Sequence, residues 1–170
     1  MFPLPVVPPF VSETEVAVDR TAGTAIGNMT EIGGLAASFD GTEFKAAGSC
    51  SRATDNTNPK DGYIGKDWGS GVTKKISQFA VSCGTDVCFD GGSPTVSINL
   101  KLQGSTDNFS TSTVELSSDT ISNTAFSQTF TISAASIDTS TAYRYHRVLI
   151  QHSTANNRIY NSQCQFWELV

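Results

Sequence analysis

The eight residues Val96-Ser-Ile-Asn-Leu-Lys-Leu-Gln103 alternate strictly between apolar and polar side chains. A period of two fits a β-strand with one face against a core and the other in water. Slipping such a strand by one residue would turn every apolar side chain outward, so the pattern permits one register. It predicts that Val96, Ile98, Leu100 and Leu102 point inward. Further apolar-rich runs at Ile76 to Val81, Thr113 to Leu116, Phe126 to Ile132, Tyr143 to Gln151 and Gln163 to Leu169 are punctuated by Gly, Asn, Asp and Ser clusters, the signature of strands joined by turns. No helical period persists over three turns, and a weak turn at Ala134 to Ile137 is the exception. The expected fold is an all-β antiparallel sandwich or jelly roll.

The chain has 170 residues, enough for one sizeable core. Charged residues make up 16% and the net charge is −5, so the chain lacks the basic stripe that neutralises a phosphate backbone or docks on an anionic membrane. No apolar run approaches the roughly 20 residues that cross a bilayer as a helix. Nucleic acid and membrane insertion are therefore excluded as expected partners.

Pro3, Pro5, Pro8 and Pro9 interrupt the apolar start, and no Lys or Arg precedes it. That reads as an extended arm to about Val11 rather than a secretion signal. Residues 1–23 form the arm and a linker carrying a short strand at Glu15 to Val18, and residues 24–170 form the sandwich. The polar stretch Gly48 to Lys60 reads as a long loop, and Gly104 to Ser112 as a turn-rich connection. Of four cysteines, Cys83 and Cys88 are spaced for a small disulfide loop or for two legs of a metal site, while free thiols are the plainer reading.

Four segments, in order, resemble the discoidin-like family, whose members have the galactose-binding-like jelly-roll fold. Ala36-Ala-Ser-Phe-Asp-Gly-Thr42 is similar to its small-residue run ending in an Asp-Gly turn. Gly62-Tyr-Ile-Gly-Lys-Asp-Trp-Gly69 resembles its strand and turn, with Trp68 in place of Leu. Leu102-Gln-Gly-Ser-Thr-Asp-Asn-Phe109 resembles its hairpin, with Asn108 in place of Gly. Tyr143-Arg-Tyr-His-Arg-Val-Leu-Ile150 and Gln165-Phe-Trp-Glu-Leu169 resemble its closing strands. The resemblance spans about Gly34 to Leu169. It implies an eight-stranded sandwich whose loops at one end recognise carbohydrate, lipid headgroup or protein, and it names no ligand.

The resemblance also implies a structural calcium at the Asp-Gly turn, with Asp40 and Thr42 matching the turn. The terminal-strand ligand position falls on Gln163, an amide where relatives place a carboxylate, so calcium is expected to bind weakly or not at all. Apart from this calcium no cofactor is expected. For ligand contact the loop residues Phe44, Arg52, Asp55, Asn56, Asn157, Arg158 and Tyr160 are the candidates, because polar forks beside an aromatic ring orient and stack a sugar. Trp68 and Trp167 are expected in the core.

No nucleophile turn accompanies His146 or His152, so the chain is expected not to be an enzyme. Two functions fit. The first is a virion component, such as a phage tail, fibre or capsid accessory protein, made in the host cytoplasm. It would bind other virion proteins or sister subunits through residues 1–11, and cell-surface glycan through the sandwich. The alternative is a free-standing carbohydrate-binding module or lectin, secreted to the extracellular space, where Asn28-Met-Thr30 and Asn108-Phe-Ser110 would be glycosylation acceptors in a eukaryote.

Overall fold

The computed structural model describes residues 12–42, 49–52, 61–85, 89, 95–152 and 158–170. The strands, in chain order, are β1 (Glu15–Ala17), β2 (Thr24–Gly27), β3 (Glu31–Ile32), β4 (Ser49–Arg52), β5 (Asp61–Asp67), β6 (Ile76–Ser82), β7 (Val96–Ser105), β8 (Val114–Asn123), β9 (Thr129–Ile132), β10 (Tyr145–His152), β11 (Arg158–Asn161) and β12 (Gln163–Leu169). Two 3-10 turns, Leu35–Phe39 and Ala134–Ser136, are the helical elements among the described residues.

Two antiparallel sheets face each other, in the orders β1-β12-β6-β9 and β2-β5-β10-β7-β8, and a small third sheet runs β11-β4-β3. The alternating strand behaves as its pattern dictates: Val96, Ile98, Leu100 and Leu102 of β7 are buried. Opposite them in the same sheet Val148 and Ile150 of β10 pair with Leu102 and Leu100. Phe79 and Val81 of β6 and Cys164 and Phe166 of β12 come from the other sheet, and all ten belong to one hydrophobic cluster. The jelly-roll sandwich is therefore a single core closed between two inner faces.

Several elements exceed or fall short of their sequence outlines. Ser49–Arg52, inside the stretch read as a loop, forms β4, because the polar Ser-Cys-Ser-Arg run finds partners in β3 and β11. The strand expected from Thr113 to Leu116 runs on to Asn123, where Ser117 to Thr120 pair with β7 despite their polarity. The strand expected from Phe126 begins at Thr129, after Ser127 at a positive φ of 55°. β1 hydrogen-bonds to β12 as an edge strand, so the linker strand joins the sandwich.

Gly65, in the Tyr-Ile-Gly segment, lies where β5 and β10 approach closely. A Cβ there would stand 2.1 Å from the carbonyl oxygen of His146 and 2.7 Å from Arg147 Cα, so any other residue would part the two strands.

Candidate functional site

At the Asp-Gly turn, Gly41 adopts a φ of 84°, and the Asp40 carboxylate accepts a hydrogen bond from the Thr42 amide at 2.8 Å. This is an Asx turn, the local geometry that Asp-Gly favours. Arg20 also reaches this turn: its Nη1 lies 3.1 Å from where a Cβ would stand on Gly41. Gln163, the third residue expected at a metal, sits on β12, and its amide makes no hydrogen bond, so it is not joined to the turn by one. Among the described residues no cluster of three or more His, Cys, Asp or Glu could hold a metal ion.

Phe44, Asp55, Asn56 and Asn157 lie outside the described residues, as do Cys88 and the arm Met1 to Val11. Arg52 and Arg158 end and begin their strands, and the antiparallel register sets them directly opposite each other. Two candidates 106 positions apart in sequence thus meet at one strand end. Tyr160 pairs with Cys50 two residues further in and is 5% exposed, which withdraws its ring from solvent.

The other motif residues pin the sandwich. Arg144 forks onto Asp67, with Nε and Nη2 each 2.8 Å from a carboxylate oxygen, and Asp67 Oδ1 also accepts the Gly69 amide at 2.9 Å. The Arg144 hydrogen bonds hold the Asp67 carboxyl below its ordinary value. In the hairpin, Asp107 accepts from the amide and hydroxyl of Thr111 and from Ser112, which lowers its carboxyl strongly. This network holds Asn108 and Phe109 at positive φ, 58° and 62°. Phe109 then covers the Arg147 guanidinium at 4.0 Å, with Tyr63 on the same group at 4.7 Å.

Trp68 is buried as expected, edge-on to Phe166 at 5.8 Å. Trp167 is not: Cys164 and Phe166 occupy the inner face of β12, so Gln163, Gln165 and Trp167 fall on the outer one. There they line a cleft with Arg20, Ser82, Thr129 and Thr131. Arg20 donates from Nε to Gln165, and Gln165 donates to the carbonyls of Val18 and Phe166 at 2.8 and 2.7 Å. Sequence reasoning missed Arg20, Gln165 and this face of β12, although the period-two pattern of Gln163-Cys-Gln-Phe-Trp167 carried the signal.

His146 lies in the core with Nδ1 bound to the Trp68 indole, which leaves it no access to a substrate proton. Cys83 and Cys164 are buried free thiols. Cys83 donates to Asn123 Oδ1 at 3.7 Å, and burial pushes the Cys164 thiol far up. A disulfide at Cys83 is thereby replaced by a packed thiol.

No protein-family model matches the chain, and no curated protein matches it in sequence. Solved structures do match in fold. The family 32 carbohydrate-binding module of C. perfringens NanJ, in complex with galactose, superposes with a TM-score of 0.63 at 11% identity, over 91% of this chain and 100% of that one. The family 32 module of AlyQ, in complex with 4,5-unsaturated mannuronic acid, gives 0.59 at 16% identity, over 89% and 97%. The family 62 module of Clostridium thermocellum Xyl5A gives 0.57 at 18% identity, over 87% and 95%. The likeness establishes the galactose-binding-like jelly-roll fold. A truncated AlyQ that joins such a module to an alginate lyase domain also matches, and this chain covers 34% of it.

Proposed function

We propose that the chain is a non-catalytic carbohydrate-recognition module that binds glycan at the strand end where β4 and β11 meet. The observation that carries this reading is the direct opposition of Arg52 and Arg158. Register partners across a strand pair are neighbours, so a ligand rich in hydroxyl or carboxylate oxygens meets two arginine positions at this strand end. Guanidinium groups suit such oxygens because they donate in a planar fork. The fold is shared with modules solved with galactose, with an unsaturated mannuronic acid and, in Streptococcus pneumoniae, with fucose specificity. A glycan array on the wild-type chain and on R52A/R158A tests it. Binding that falls at least tenfold in the double variant supports the site, and unchanged binding removes it.

The module's setting is a virion surface, such as a phage tail, fibre or capsid accessory part, with residues 1–11 as the anchor on other virion proteins or sister subunits. The proline-dense arm with Phe2, Leu4, Val6, Val7 and Phe10 favours this setting, because a segment of that composition suits docking on a partner. Mass spectrometry of purified particles tests it. Absence of the chain from them leaves the free-standing lectin as the setting.

A further inference from the structure

The outer face of the β1-β12-β6-β9 sheet carries a cleft of about 140 Å³. Its floor follows from register. Ala80 sits between Gln165 and Thr131, and Ser82 between Gln163 and Thr129, so a small residue lies in the centre of a ring of polar ones. Gln163 is 3% exposed and Ser82 2%. Yet Gln163 Oε1, Gln163 Nε2 and Ser82 Oγ have no hydrogen-bond partner. Three orphaned polar atoms on two register partners are unusual, since buried polar groups in native proteins are nearly always satisfied. The space is about ten times the roughly 10–15 Å³ that one water needs on the same measure.

We propose that this cleft is a second binding site, for a neutral saccharide, separate from the strand end of Arg52 and Arg158. A primary amide sets a donor pair beside an acceptor, and a sugar hydroxyl both gives and takes, so Gln163 and Ser82 match adjacent ring hydroxyls. The partly exposed Trp167 offers an indole face to the C–H side of a pyranose. Among the described residues the lining includes no Asp, Glu or Lys, and the one charged side chain among them, Arg20, is bound to Gln165. That composition fits an uncharged polyol better than a metal ion or a cationic ligand. The Arg20 bond and the two carbonyl bonds of Gln165 fix this wall in place before any ligand arrives.

The test is titration of the full chain with galactose, lactose and mannobiose while following the side-chain amide of Gln163 and the indole N–H of Trp167 by 1H–15N NMR. The expected result is a saturable shift of both signals with at least one of the three sugars. It should persist in R52A/R158A and weaken at least tenfold in Gln163→Leu and in Trp167→Ala. Trp167 is partly exposed, so its variant carries the test if the Gln163 variant does not fold. The proposal is overturned if none of the three sugars moves the Gln163 amide, or if both cleft variants keep wild-type affinity. Loss of the shift in R52A/R158A alone would assign the sugar to the strand end instead.

Discussion

The Trp68 indole donates to Nδ1 of His146 at 2.8 Å inside the core, tying the end of β5 to β10 through two side chains. Accepting at Nδ1 requires the neutral imidazole with its proton on Nε2. Burial, helped by the nearby Lys74 charge, pushes the His146 pKa down to about 3. Between the unfolded value near 6.5 and about 3 the unfolded chain takes up a proton that the folded chain refuses. Stability is therefore full above pH 6.5 and falls as pH drops through that window, approaching about 1.4 kcal/mol per pH unit. Urea unfolding should show a loss of about 1–2 kcal/mol from pH 7 to pH 5, and His146→Gln, which keeps an acceptor for Trp68, should flatten it. Equal stability at the two pH values would contradict this.

Leu100 lies midway along β7, fully buried, with Ile150 of β10 as its register partner. Neighbours held in place by two ladders cannot collapse into the space a truncation leaves. Leu100→Ala should therefore cost about 2–5 kcal/mol in denaturant unfolding. A loss under about 1 kcal/mol would mean that the strand is peripheral.

Periodicity revealed those parts of the molecule that bury one face. β7 and β12 were legible because Val96 to Leu102 and Cys164 to Phe166 alternate with polar neighbours, and β10 because Val148-Leu-Ile150 is an apolar run between Arg147 and Gln151. β4 and the far half of β8 were not, since Ser49–Arg52 and Ser117 to Thr120 are largely polar runs held by strand pairing, and pairing leaves no mark on a single segment. For the site, sequence chose Arg52 and Arg158 separately but could not set them opposite each other. Their meeting depends on the β4–β11 register, a relation between segments more than 100 positions apart. Arg20 escaped notice because nothing in the linker's composition shows that it returns to bind Gln165.

Calcium should contribute little. The Asp40 carboxylate already accepts the Thr42 amide, and Gln163 brings a neutral amide where a second charged ligand would be needed. Adding a chelator should barely move the Tm. A drop of several degrees that calcium reverses, and that Asp40→Ala abolishes, would establish a structural site.

The arm should be dispensable for folding and required for attachment. Pairing into the sandwich begins by Thr14, whose amide and carbonyl exchange hydrogen bonds with Val170 at 2.9 and 3.0 Å, and continues through β1 against β12. Deleting Met1 to Phe10 stops short of those bonds. Prolines 3, 5, 8 and 9 cannot donate to a sheet ladder, so this segment is a poor inner strand. Their preset φ angles lower the entropy lost when an extended segment docks in a groove on a partner. The truncated chain should keep the wild-type Tm within a degree or two while no longer co-purifying with its particle or sister subunit. A truncated chain that fails to fold would place the arm in the core and end the anchoring idea.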